Sequence, residues 1–126
     1  MATIKSFTDL QQSKKLAEIL PLESADMMYQ KYETVVIGDD YGYKYRIQPF
    51  FSSNIDSIPC WSLAALLSVL PDSIYENTDE YSQLEFSKNS VAYHDLNDGI
   101  KIGSLKGNLI DACYELILKL HKLNLL

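Results

Sequence analysis

Val91-Ala92-Tyr93-His94-Asp95-Leu96-Asn97-Asp98-Gly99-Ile100-Lys101-Ile102-Gly103-Ser104-Leu105 reads as two strands folded back on a turn. Both arms carry β-branched or aromatic residues, and Asn-Asp-Gly between them supplies turn chemistry. A two-residue Asp98-Gly99 loop would mix Tyr93, Asp95 and Asn97 with Ile100 and Ile102 on one face. A three-residue loop, Asn97-Asp98-Gly99, with Gly99 left-handed, pairs Leu96 with Ile100, His94 with Ile102 and Asp95 with Lys101. That register gives one apolar face (Ala92, His94, Leu96, Ile100, Ile102) and a matched charge pair on the other, and is the one expected. Strands joined by a hairpin pair antiparallel, which directs the chain to the α+β class.

Working outward, three stretches read as helices. Residues 6–20 place Phe7, Leu10, Ala17 and Leu20 on one side, with Ser6 and Asp9 as a capping pair and Pro21 as the stop. Residues 59–70 have almost no polar side, with Pro59 suited to the first helical position and Pro71 to the end. Residues 108–123 carry an apolar stripe, with Asn108 as cap, Asp111 in the first turn, and Lys119, His121 and Lys122 near the end, where they suit the helix dipole. Further strands are expected at 41–48, where Tyr41, Tyr43, Tyr45 and Ile47 alternate with Gly42, Lys44, Arg46 and Gln48, and at 84–86. Residues 23–40, with a helical turn over 22–32, and residues 72–81 read as polar, acidic connections. The expected architecture is a single α+β domain over residues 1–126: a small antiparallel sheet of three to four strands with about three helices on one face.

Composition supports a packed core: 47% of the 126 residues are hydrophobic and 22% are charged. Eleven basic residues against seventeen acidic ones leave a net charge of −6, so nucleic acid and anionic membrane surfaces are disfavoured partners. No apolar run approaches the ~18 residues of a membrane span, and the N-terminus lacks a secretory pattern, so a cytoplasmic location is expected. Cys60 and Cys113 sit in apolar segments without metal spacing and read as buried thiols.

Three constellations are chemically suggestive. Cys60, placed in the first turn of a helix, would have a thiolate stabilised by the helix dipole. His94 on a core-facing strand and Gln48 upstream would complete an arrangement like that of papain-type thiol enzymes, with Cys60 and His94 as a nucleophile–base pair. The row Tyr41, Tyr43, Tyr45 with Lys44 and Arg46 behind it suits either core packing or, joined by Trp61, a ligand, glycan or partner surface. Asp39-Asp40 lacks the alternating oxygens of a calcium loop and reads as a solvated turn; no metal and no cofactor are expected.

Three segments resemble, taken together, a group of uncharacterised small proteins from Bacteroides-type gut bacteria and their prophages or mobile elements. They are Gln12-Ser13-Lys14-Lys15-Leu16 through Met27, Ile58-Pro59-Cys60-Trp61-Ser62-Leu63-Ala64-Ala65-Leu66 through Pro71, and Asn108-Leu109-Ile110-Asp111-Ala112-Cys113-Tyr114-Glu115 through Leu123. The resemblance implies a bacterial, phage-linked protein and carries no catalytic residue. The surplus of apolar helical surface points to a non-enzymatic interaction or accessory module whose partner is another protein or a second copy. Its rivals are a thiol-dependent hydrolase or transferase and a small-ligand or glycan binder.

Overall fold

The computed structural model describes residues 5–35, 41–49, 57–76, 78–79, 81–95 and 99–126; side chains at 32–35 and 41–44 are outside the description. In chain order these form α1 (Leu10–Ala17), a 3-10 turn (Leu22–Ser24), β1 (Met27–Val35), β2 (Tyr41–Pro49), β3 (Ser57–Cys60), α2 (Leu63–Val69), β4 (Ser73–Ile74), β5 (Ser82–Phe86), β6 (Ser90–Asp95), β7 (Gly99–Leu105) and α3 (Leu109–Lys122). The α+β class holds. The strands, however, divide into two antiparallel sheets, ordered β2-β1-β3 and β4-β5-β6-β7.

The extra sheet arises where a loop and a helix start were expected. Met27–Val35 is a strand, not part of an acidic connection, because Met27, Met28 and Tyr29 find partners on both sides: Pro49, Gln48 and Ile47 on β2, and Cys60, Pro59 and Ile58 on β3. Pro59 therefore lies in an edge strand, where a missing N–H is tolerated, rather than at the first position of a helix. The helix begins later. Ser62 caps it, accepting from Ala65 N at 3.2 Å, while its own N–H and hydroxyl donate to the Asp26 carboxylate.

The first helix is also shorter than the periodicity suggested. Asp9 rather than Ser6 is its cap, in a reciprocal capping box with Gln12 (Gln12 N to Asp9 Oδ1 2.8 Å; Asp9 N to Gln12 Oε1 3.0 Å). The third helix follows expectation. Asn108 accepts from Asp111 N at 2.8 Å, and Asn124 sits left-handed (φ 57°) beyond the end. Leu125 N bonds Leu120 O and Asn124 N bonds His121 O, the paired bonds of a Schellman stop.

The core lies between α3, α2 and the inner face of the four-stranded sheet. Leu16, Trp61, Leu66, Val91, Tyr93, Ile110, Leu116, Ile117 and Leu120 are all fully buried. A buried Trp or Tyr removes about 150–250 Å² from water, on the order of 4–6 kcal/mol each as an upper bound. Both polar tips are satisfied: Trp61 Nε1 donates to Ser24 Oγ at 3.0 Å, and the Tyr93 hydroxyl donates to Pro71 O at 2.6 Å.

Candidate functional site

The β6–β7 register decides which side chains the sheet offers to solvent. The observed partners are His94 with Ile100, Asp95 with Gly99 and, beyond a bulge, Tyr93 with Ile102 and Ala92 with Gly103. Neither register weighed from the sequence occurs, although the expected Asp95–Lys101 charge pair forms, Lys101 Nζ lying 3.8 Å from Asp95 Oδ2. Gly99 is left-handed as expected (φ 81°). The pairing has shifted so that Val91 and Tyr93 turn inward, and His94 turns outward with Ile100. The bulge takes Lys101 out of the ladder, which keeps Ile102 facing Tyr93 on one side of it and Ile100 facing His94 on the other. Burying a tyrosine with a satisfied hydroxyl outweighs burying an imidazole.

His94 is therefore not a core-side residue. Its Nε2 lies 3.6 Å from Glu85 Oε2 on the open face. Cys60 belongs to the other sheet, at the end of β3 and outside any helix turn. It is fully buried. Its thiol donates to Thr8 O at 3.5 Å and accepts from Thr8 Oγ1 at 3.6 Å. Burial pushes the Cys60 thiol pKa up, and hydrogen bonds from Thr8 and Ser13 offset that only in part. Gln48 sits on β2, separated from β3 by β1, so two strand spacings of roughly 4.8 Å lie between Gln48 and the Cys60 strand. The expected Cys60–His94–Gln48 arrangement is not assembled. Cys113 is likewise fully buried, its pKa pushed up to about 12 by burial.

Trp61, expected at a binding surface, is sealed in the core. Tyr45 is half-buried, its ring edge-on to Tyr29 at 6.4 Å and 87°, and Tyr29 in turn meets Phe7. The Tyr29 hydroxyl donates to Thr8 O at 2.8 Å, and burial pushes its pKa up to about 12. Tyr41 and Tyr43 pair in backbone register with Val35 and Glu33, but their side chains fall outside the description. Residues Asp39 and Asp40 also lie outside the described residues. At the described end, then, the tyrosine row packs against Tyr29, which in turn meets the N-terminal segment.

A polar seam that the sequence reading missed joins α1 to α3. Lys5 Nζ donates to Asp111 Oδ1 at 2.8 Å and to Asp9 Oδ2 at 3.1 Å, Gln12 Nε2 donates to Asp111 Oδ1 at 2.8 Å, and Asn108 Nδ2 donates to Asp111 Oδ2 at 2.9 Å. Partial burial raises the Asp111 carboxyl pKa, but the Lys5, Gln12 and Asn108 bonds outweigh it and hold the carboxyl below its ordinary value. Every member has a structural partner, and the seam reads as a clamp between helix N-termini rather than a reactive centre.

The outer end of the four-stranded sheet is open. Phe86, Ile100 and Leu105 are 58%, 62% and 70% exposed. They border a groove of about 720 Å³ that also touches Ala92, Gly103 and Ser104, with Glu85, Lys106 and Glu115 at its rim. Gly103 permits the close strand approach here, since a Cβ at that position would stand 2.7 Å from Ala92 Cβ. The Ser104 hydroxyl is buried without a hydrogen-bond partner among the described residues. Of the helical surfaces expected to be in surplus, that of α3 is covered, with Ile110, Ala112, Cys113, Leu116, Ile117 and Leu120 buried, whereas α2 buries Ala65 and Leu66, leaves Leu63, Leu67 and Val69 half-buried, and lines a groove of about 830 Å³ with Ile19, Leu20, Pro21 and Leu126.

The chain matches no protein-family model, no curated protein and no solved structure. Among the described residues no helix is long and apolar enough to cross a membrane.

Proposed function

We propose that the chain is a non-enzymatic protein-interaction module that meets its partner with the outer end of the four-stranded sheet. The observation that carries this is the group Phe86, Ile100 and Leu105, three large apolar side chains more than half exposed around one groove. Apolar surface gathered within a polar rim is the usual composition of a protein contact. Glu85 and Glu115 balance Lys106 and Lys119 around that groove, so the contact is locally neutral in a chain of net charge −6. The proposal includes a cytoplasmic setting in a bacterium bearing a prophage or mobile element, supported by the three-segment resemblance.

A photo-crosslinking residue in place of Ile100 in the full chain identifies what contacts the groove, and the purified pair is then titrated by calorimetry. Binding that drops at least tenfold in the Ile100→Asp/Leu105→Asp double variant supports the proposal. A purified pair that fails to bind, or binds the variant equally well, overturns it.

A further inference from the structure

The groove of about 830 Å³ beside α2 shares no lining residue with the one bordered by Phe86, Ile100 and Leu105. Ile19, Leu20, Pro21, Ala65, Val69 and Leu126 give it an apolar floor, and the small, exposed Ala64 and Ser68 keep it open along α2. The only side-chain donors among its lining residues are two hydroxyls, and both are spent within the chain: Ser24 Oγ donates to Pro21 O at 2.6 Å and Ser68 Oγ to Ala64 O at 2.9 Å. Two exposed carboxylates complete the lining, Glu23 and Asp26. Asp26 accepts from Ser62 N at 2.9 Å and from the Ser62 hydroxyl, neutral donors that leave its charge in place. Among the described residues neither carboxylate is ion-paired with Lys, Arg or His. The groove thus combines apolar surface with uncompensated negative charge and has no side-chain donor to offer an anion.

We propose that this groove receives an amphipathic helix of a partner protein, with aliphatic side chains on one face and Lys or Arg beside them. Charge complementarity selects the basic flank: a cation beside Glu23 and Asp26 is attracted, and an acid there is repelled. The same charges argue against a second copy of this chain, because a twofold contact through the groove would bring both copies' Glu23 and Asp26 to one interface. The backbone of the walls selects a helix over an extended strand. Ile19 N and Leu20 N both bond Leu16 O, at 3.0 and 2.8 Å, while Ser24 N bonds Pro21 O and Ala25 N bonds Leu22 O, each at 3.1 Å. These walls are closed turns and not a sheet edge, so an extended segment would find no ladder to join, whereas a helix pairs its own backbone. Ala64 and Ser68, one helical turn apart on α2, let a second helix axis come close. The lining residues differ from those of the Phe86, Ile100 and Leu105 group, so either contact can fail while the other stands.

Two designed helical peptides of about 18 residues test this, one Leu/Lys and one Leu/Glu with the same apolar face, titrated into the full chain while backbone amide NMR shifts are followed. The Leu/Lys peptide shifts amides of residues 19–26 and 64–69 and binds at least tenfold more tightly than the Leu/Glu peptide. Ala64→Gln/Ser68→Gln puts longer polar side chains over the apolar floor without altering net charge, and weakens Leu/Lys binding at least tenfold. Glu23→Lys weakens it about threefold and strengthens Leu/Glu binding. Both variants change exposed side chains, and their amide spectra away from the groove stay those of the parent. Ile100→Asp/Leu105→Asp binds the Leu/Lys peptide as the parent does. Equal affinity for the two peptides overturns the proposal, as do amide shifts centred elsewhere. So does Leu/Lys binding that Ala64→Gln/Ser68→Gln leaves intact, which would mark attraction to net charge alone. A parent chain that dimerises in light scattering, and loses the dimer in Ala64→Gln/Ser68→Gln, would make a second copy the occupant and overturn it too.

Discussion

The two faces of β6 and β7 are built from neighbouring residues yet have opposite fates. On the inner face Val91 and Tyr93 are fully buried beneath α3, and Tyr93 reaches through to the carbonyl of Pro71. One residue further along β6, His94 looks outward beside Ile100 and Glu85. Strand alternation separates two sets of side chains but does not say which set goes in. Here the choice follows the larger apolar area and the presence of a helix to cover it, and a bulge adjusts β7 to suit. The apolar residues left outside, Ile100 and Leu105, are then free for something other than folding.

The sharpest way to break this comparison is to truncate its two neighbours in turn. Tyr93→Ala removes a buried ring and orphans the Pro71 carbonyl; a loss of about 3–5 kcal/mol is expected in chemical denaturation. His94→Ala, on the open face, should stay within about 0.5 kcal/mol of the parent. Equal losses would mean that the register is wrong. Gly103→Ala comes next. Its new Cβ meets Ala92 Cβ at 2.7 Å, a contact with no flexible end to give way, so a loss of about 1–3 kcal/mol is expected. Ala92→Gly in the same chain should recover part of it, which a double-mutant cycle measures.

The smallest effect belongs to the part-buried polar seam between α1 and α3, which sharpens the contrast with the apolar core. Asp111 has a folded pKa below its unfolded value near about 4, so its contribution is present above that pH and disappears as pH falls through the folded value. Burial lowers the Lys5 pKa, but its bonds and charge contacts with Asp111 and Asp9 outweigh this and raise it. Lys5 therefore contributes fully below about pH 10 and loses that contribution as pH rises through its folded value. Asp111→Asn should lower stability slightly near neutral pH and flatten the acid limb of the stability–pH curve. An unchanged acid limb would remove the seam from the account.

Much of the fold is legible in local pattern. The helix over Leu109–Lys122 could be read from its stripe, its Asn108 cap and its basic last turn, because those signals lie within the segment itself. Gly99 announced its left-handed turn for the same reason. The segment from Met27 to Val35 could not be read this way. Its strand character depends on pairing with Tyr41–Pro49 on one side and Ser57–Cys60 on the other, contacts that no window of sequence contains. Pro59 misled for a related reason: proline suits a helix start and an edge strand alike, and tertiary pairing chose the second. The candidate site was hidden because exposure was sought on the apolar helices around Leu63–Val69 and Leu109–Lys122. The Leu109–Lys122 stripe is buried and Leu63–Val69 is covered only in part, whereas Ile100 and Leu105 look unremarkable in sequence and are exposed only once the register is known.

If Ile100 and Leu105 serve contact and not folding, equilibrium unfolding of Ile100→Asp/Leu105→Asp gives a free energy within about 0.5 kcal/mol of the parent chain and an unchanged slope. A loss of several kcal/mol would place those side chains in the core after all and contradict it.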